Sequence, residues 1–176
     1  MLTKFLSIGA AAMLLVQSGY SQSSQAKAGD LVSLSEGITI RVTKAAKSPF
    51  GSVKVKGEPL VVVLELDAGK KNARLGYKLG TDAAWSDIYL EGGDKRFGPR
   101  AVVEDFSSWG NDNDKEVEVL DPKDKTVGAS LQFRGKGSLY LLFDVPSEQA
   151  RTQKKLTIVI ETIESTAQEH TVVVTL

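Results

Sequence analysis

The chain has 176 residues, with 22 Lys and Arg against 22 Asp and Glu, one histidine and no cysteine. The missing thiol excludes disulfides, thiolate nucleophiles, cysteine metal sites and a lipid anchor on an N-terminal cysteine. Balanced charge leaves no electrostatic footprint for nucleic acid or an anionic membrane, and a single histidine with methionine only at Met1 and Met13 leaves no soft-metal or His-rich zinc centre after the leader.

The chain opens MLTKFLSIGAAAMLLVQSGYSQSSQAKAGD. Lys4 precedes an apolar run from Phe5 to Val16 and a small, polar stretch follows, which is the order of a secretory signal peptide. The run is shorter than the about 20 residues a helix needs to span a bilayer. Small residues sit at cleavage offsets in Val16-Gln17-Ser18, Gly19-Tyr20-Ser21 and Ala26-Lys27-Ala28, the last being the cleanest A-x-A pattern and the farthest from the run. Residues 17–25, rich in Ser and Gln, read as a solvated tether. The expected organisation is therefore residues 1–28 as signal peptide and tether, and 29–176 as one domain, with no membrane insertion once the signal is removed. After a cut at Ala28, the 22 basic side chains less Lys4 and Lys27, set against 22 acidic ones, leave a formal charge of −2. A domain of about 148 residues buries roughly 68–70% of its unfolded surface and needs no disulfide staple.

Beyond residue 30 the hydrophobic period is two. Ile38, Ile40 and Val42 alternate with Thr39, Arg41 and Thr43, predicting a half-buried strand over 38–45. LVVVLEL (60–66) is apolar on most of both faces and reads as a central strand. SDIYLEGGDKRFGP suggests a hairpin turning at Glu91-Gly92-Gly93-Asp94. Residues 101–106, 116–120 and 127–133 are weaker candidate strands. GSLYLLFDVPSE (137–148) places Leu139, Leu141, Phe143 and Val145 on one face, and Pro146, which cannot donate to a ladder, should end that strand at Val145. LTIVIETI (156–163) and HTVVVTL (170–176) predict a closing antiparallel hairpin, with Leu156, Ile158 and Ile160 facing the same core as Val172, Val174 and Leu176. Eight or more short strands without an amphipathic helix after the leader predict an all-β, antiparallel sandwich.

The strand string GDLVSLSEGITIRVTKAAK, GEPLVVVLELDAG, SDIYLEGGDKRFGP and LYLLFDVPSE with its closing hairpin resembles a family of secreted bacterial Ig-like domains of unknown function. That family is similar in fold to the mycobacterial secreted immunoprotective antigen. The resemblance covers Gly29 to Leu176 and implies an Ig-like β-sandwich secreted to the periplasm or the cell exterior. It carries no catalytic residues over, because the family has none established.

The densest polar signal is WGNDNDKEVEV. Asn111, Asp112, Asn113, Asp114 and Glu116 offer hard oxygens, of which calcium takes about 6–8. Counted from Asp112, the sixth and twelfth residues are Val117 and Lys123, so the loop is not an EF-hand, and a polar turn whose Asn and Asp bond their own backbone is the competing account. Asp112, Asp114 and Glu116 are the candidate metal ligands; no other cofactor is expected. Trp109, Trp85 and Phe50 are loop aromatics that could face a glycan or peptide or cap the core. Hydrolase chemistry would have to recruit His170, expected as an exposed histidine at the edge of a turn, and Ser107 and Ser108 lie in no nucleophile elbow. Glu104 and Asp105, adjacent on a strand, should point to opposite faces and cannot converge as a glycosidase pair. The expected function is a non-enzymatic binding module for an unidentified protein or glycan partner, without nucleic acid. A calcium-dependent or carbohydrate-binding module using the 109–116 loop is the alternative.

Overall fold

The computed structural model describes residues 22–51, 53–80, 86–105, 117–119, 128–163 and 167–176. These residues form two β-sheets and two single 3-10 turns, Ser35–Gly37 and Ser147–Gln149. The strands are β1 (Gln22–Lys27), β2 (Leu31–Ser33), β3 (Thr39–Lys44), β4 (Glu58–Asp67), β5 (Ala73–Lys78), β6 (Ile88–Gly92) and β7 (Lys95–Phe97). They continue with β8 (Ala101–Asp105), β9 (Val117–Val119), β10 (Gly128–Phe133), β11 (Lys136–Val145), β12 (Lys154–Thr162) and β13 (Glu169–Thr175). Among the described residues no helix is long and apolar enough to cross a membrane.

One sheet, here sheet B, has the order β2-β3-β4-β11-β8-β9. Its centre is the β4–β11 pair, antiparallel from Lys136 opposite Asp67 to Val145 opposite Glu58. Both strands are apolar on two faces because the inner face enters the inter-sheet core and the outer face carries Val61, Tyr140 and Leu142 into a second cluster with Phe50. Sheet A has the order β1-β13-β12-β5-β10, with β6 and β7 joining β12 beside β5. β12 pairs with β6 through Ile158 and with β5 only at Glu161 and Thr162, so its edge forks.

The inward faces of the two sheets meet in one core. Ile40, Val42, Leu64, Leu139, Leu141 and Phe143 come from sheet B; Leu75, Ile88, Phe133, Ile158 and Val172 come from sheet A. Fully burying each Leu, Ile, Val or Phe side chain contributes about 1.5–3 kcal/mol, which makes this the main source of stability. A second, smaller core lies on the outer face of sheet B, where Ala101, Val103 and Leu142 are covered by the β3–β4 connection.

The periodicity reading holds for the main strands. Leu156 faces Val174 and Ile158 faces Val172 in the closing hairpin, Pro146 ends β11 at Val145, and the β6–β7 hairpin turns with Gly93 at φ +63°. Three strands were not anticipated. β5 presents Ala73, Leu75 and Tyr77 inward, but Arg74 and Gly76 break up its apolar content. β2 is three residues long. β1 replaces part of the expected tether: Gln22–Lys27 pairs in parallel with β13 and is a strand of sheet A. Its Ser/Gln composition disguises this, because an edge strand held by main-chain bonds needs little apolar surface. From β1 the chain crosses to sheet B through Gly29 at φ +97°.

Candidate functional site

Alternation on sheet B sends one polar row outward. Leu31 stands opposite Arg41, Arg41 opposite Glu65, Glu65 opposite Ser138, and Ser138 opposite Asp105. The next outward row is Thr39, Asp67 and Lys136. Together these residues line an open trough of about 530 Å³ running across the strands. The Arg41 guanidinium lies 3.7 Å from the Glu65 carboxylate and Lys136 Nζ lies 3.8 Å from Asp67. Such solvent-side pairs contribute about 0.2–1 kcal/mol each, so their effect is to order charge along the trough more than to stabilise the fold. Asp67 is also fixed by accepting the Gly69 N–H at 2.9 Å. Leu31 closes one end of the row and is 56% exposed. The trough thus offers cations, carboxylates, hydroxyls and the apolar side chain of Leu31 at its edge, which is chemistry for recognising a ligand with both donors and acceptors.

Of the residues singled out from the sequence, Trp85, Trp109, Asp112, Asp114 and Glu116 lie outside the described residues, as do Ser107 and Ser108. The two stems of the acidic loop are described. Asp105, the last residue of β8, is on the trough rim, and Val117, the first of β9, is opposite Val103. Phe50 is not an exposed loop aromatic. It is 4% exposed and packs with Ala101, Val103 and Leu142, anchoring the β3–β4 connection over the outer face of sheet B. Its backbone is held locally, the Phe50 N–H donating to Ser48 Oγ at 3.2 Å and the Val53 N–H to Phe50 O at 3.0 Å. The register roots Phe50 and the acidic loop at opposite ends of sheet B, since β3 leaves the sheet at Lys44 opposite Val62 while β8 ends at Asp105, level with Glu65.

His170 also departs from expectation. It is 1% exposed because it shares the inward face of β13 with Val172 and Val174. Its Nε2 lies 3.2 Å from Ser35 Oγ, which donates to Gln168 Oε1 at 3.4 Å. Among the described residues its buried Nδ1 has no hydrogen-bond partner. A hydroxyl beside an imidazole is the first half of a nucleophile–base pair, but among the described residues none orients the far ring nitrogen as the third member of a triad does. The contact ties the β2–β3 connection of sheet B to β13 of sheet A. Glu104 and Asp105 diverge as expected: Glu104 accepts from Tyr77 Oη at 3.0 Å, and Asp105 lines the outer trough.

Asp87 was missed by sequence reasoning. It sits where β5 and β6 part along β12: Gly76 N–H donates to Asp87 Oδ2 at 2.6 Å, Asp87 N–H to Gly76 O at 3.1 Å, and Val159 N–H to Asp87 O at 2.7 Å. Burial pushes its carboxyl above the ordinary carboxylate range, Glu161 adds to the rise, and the Gly76 amide and Arg74 oppose it. Ser-Asp directly before an apolar run was the one sequence cue. A smaller cleft near Lys154 and Leu176 carries no free cation from that lysine, whose Nζ donates to Gln149 O, Ala150 O and Thr152 O, each at 2.8 Å. Among the described residues no three His, Cys, Asp or Glu side chains gather as a metal site. Compared with protein-family models and with curated proteins, the chain matches none.

Proposed function

We propose that the protein is a secreted, non-enzymatic Ig-like binding module of the periplasm or cell exterior, whose contact surface is the outer trough of sheet B together with the loop rooted at its rim. The observation that carries this reading is the Leu31–Arg41–Glu65–Ser138–Asp105 row, a mixed-charge surface on a rigid sheet at the end from which the 106–116 segment departs. The Ig-like reading is supported by a first described strand that pairs in parallel with the last before the chain changes sheet. The signal-peptide order of residues 1–28 supports the compartment.

The test is a screen of the secreted protein against peptide and glycan arrays, followed by titration of any hit against Arg41→Ala and Leu31→Ala. Loss of about tenfold in affinity, roughly 1.4 kcal/mol, with unchanged melting temperature supports the trough. Unchanged affinity in both variants overturns it as the contact surface. Ester or glycoside turnover that disappears in Ser35→Ala would overturn the non-enzymatic reading. The calcium reading keeps one supporting observation, the placement of Asp105 at the stem of the Asp112-Asp114-Glu116 loop. At a hundredfold excess over its dissociation constant, calcium would stabilise by about 2.7 kcal/mol. A chelator-reversible rise in melting temperature, lost in Asp112→Ala, would establish that reading.

A further inference from the structure

The sequence offers three bonds at which the leader could be removed, after Ser18, Ser21 or Ala28, and the fold treats them unequally. β1 pairs with β13 along its full length, from Gln22 opposite His170 to Lys27 opposite Thr175. The crossing that follows is bonded to both sheets. Ala28 N–H donates to Thr175 O at 2.9 Å, Gly29 N–H to Val42 O at 2.7 Å, and Lys27 N–H to Asp30 Oδ2 at 2.9 Å. A cut after Ala28 would remove β1 outright and lift Ala26 off the core. The side of β13 that β1 covers would become an open edge, a template for pairing with other chains.

Distance from the apolar run points the same way. A leader peptidase works at the membrane surface just behind that run, whereas Ala28 lies beyond all of β1. Ser18 and Ser21 both follow Val16 closely. Of these two, Gly19-Tyr20-Ser21 has the smaller residue two positions before the bond, Gly19 against Val16, and Val16 is itself the end of the apolar run.

We propose that the chain is cut between Ser21 and Gln22, so that the processed protein begins with the first residue of β1. The proposal rests on the secretory reading above. Water supplies the second reactant: the Ser21–Gln22 C–N bond breaks, the hydroxyl adds to the Ser21 carbonyl carbon and the proton goes to the Gln22 nitrogen. The products are a leader ending in a carboxylate and a domain beginning with an α-amino group opposite His170. The Ser/Gln-rich segment is thereby kept as a strand of sheet A, and the clean A-x-A pattern at Ala26-Lys27-Ala28 becomes an uncut turn between sheets.

The full 176-residue chain is expressed in a bacterium, and the exported and cytoplasmic fractions are analysed by intact mass and N-terminal sequencing. An exported chain starting at Gln22 is expected, and Ser21→Leu, which puts a bulky side chain at the bond, should leave most of the protein as uncut precursor. A start at Gly29 overturns the proposal while secretion stands, and a start at Gly19 moves the cut to Ser18 and also overturns it. Unaltered processing of Ser21→Leu at Gln22 would remove the sequence basis of the assignment. An uncut chain confined to the cytoplasm overturns the secretory reading and the processing with it.

Discussion

Phe50 and Asp87 show how a single side chain changes meaning once its neighbours are known. In the sequence Phe50 is an aromatic in a Gly- and Lys-containing loop; in the fold it is the apolar seal over Ala101, Val103 and Leu142. Phe50→Ala should therefore cost about 3–5 kcal/mol, read as a lower urea midpoint, and should leave ligand affinity at the trough unchanged. Asp87 makes a different prediction. Its folded pKa lies above the unfolded value near 3.8 because burial disfavours the charged form. Its contribution to stability is thus fully present below that unfolded value and is lost as pH rises through the raised folded one. Asp87→Asn keeps an oxygen acceptor for the Gly76 N–H and removes the ionisation. Its stability relative to the parent should rise from pH 3 to pH 7 in urea titrations; a difference independent of pH would show that the carboxyl does not titrate in a shifted range.

At the scale of elements, what could be read from the sequence was what a period of two reveals. β3, β12 and β13 alternate because one face of each is sealed in the core, β4 and β11 stand out instead as short runs apolar on both faces, and the register of the last hairpin followed from its matched apolar residues. β1 was invisible for the opposite reason, since its pairing with β13 is made by backbone and its side chains are largely exposed. The trough was invisible too. Leu31, Arg41, Glu65, Ser138 and Asp105 are far apart in the chain, and only strand order and register align them. Alternation announces that each faces outward but not that they share a row. Connections between sheets were equally hidden, and the one from β7 to β8 can be tested. Gly98 passes so close to the carbonyls of Lys78 and Gly80 that a β-carbon there would overlap both, while Gly80 N–H donates to Pro99 O at 2.9 Å and Arg100 N–H to Leu142 O at 2.6 Å. Gly98→Ala should destabilise by about 1–3 kcal/mol, with the urea midpoint lowered and the slope of the transition unchanged.

For the whole molecule, the decisive feature is that the first described strand pairs with the last. β1 begins at Gln22 and β13 ends at Thr175, so sheet A is completed by joining strands about 150 residues apart in sequence, and the β4–β11 pair at the heart of sheet B is also distant in sequence. Topologies dominated by such pairings fold in about milliseconds to seconds. β1 contributes little apolar burial and lies at an edge, which places its docking after the core has formed. Interactions absent from the transition state govern unfolding and leave folding unchanged. Successive N–H groups of a strand point to opposite edges, so replacing two neighbouring residues by proline must delete at least one donor aimed at β13. In Ser24→Pro/Gln25→Pro, stopped-flow kinetics should show the unfolding limb raised and the refolding limb unmoved. A refolding limb lowered by the same factor would instead put the β1–β13 pair in the folding nucleus, making β1 the strand on which sheet A is built.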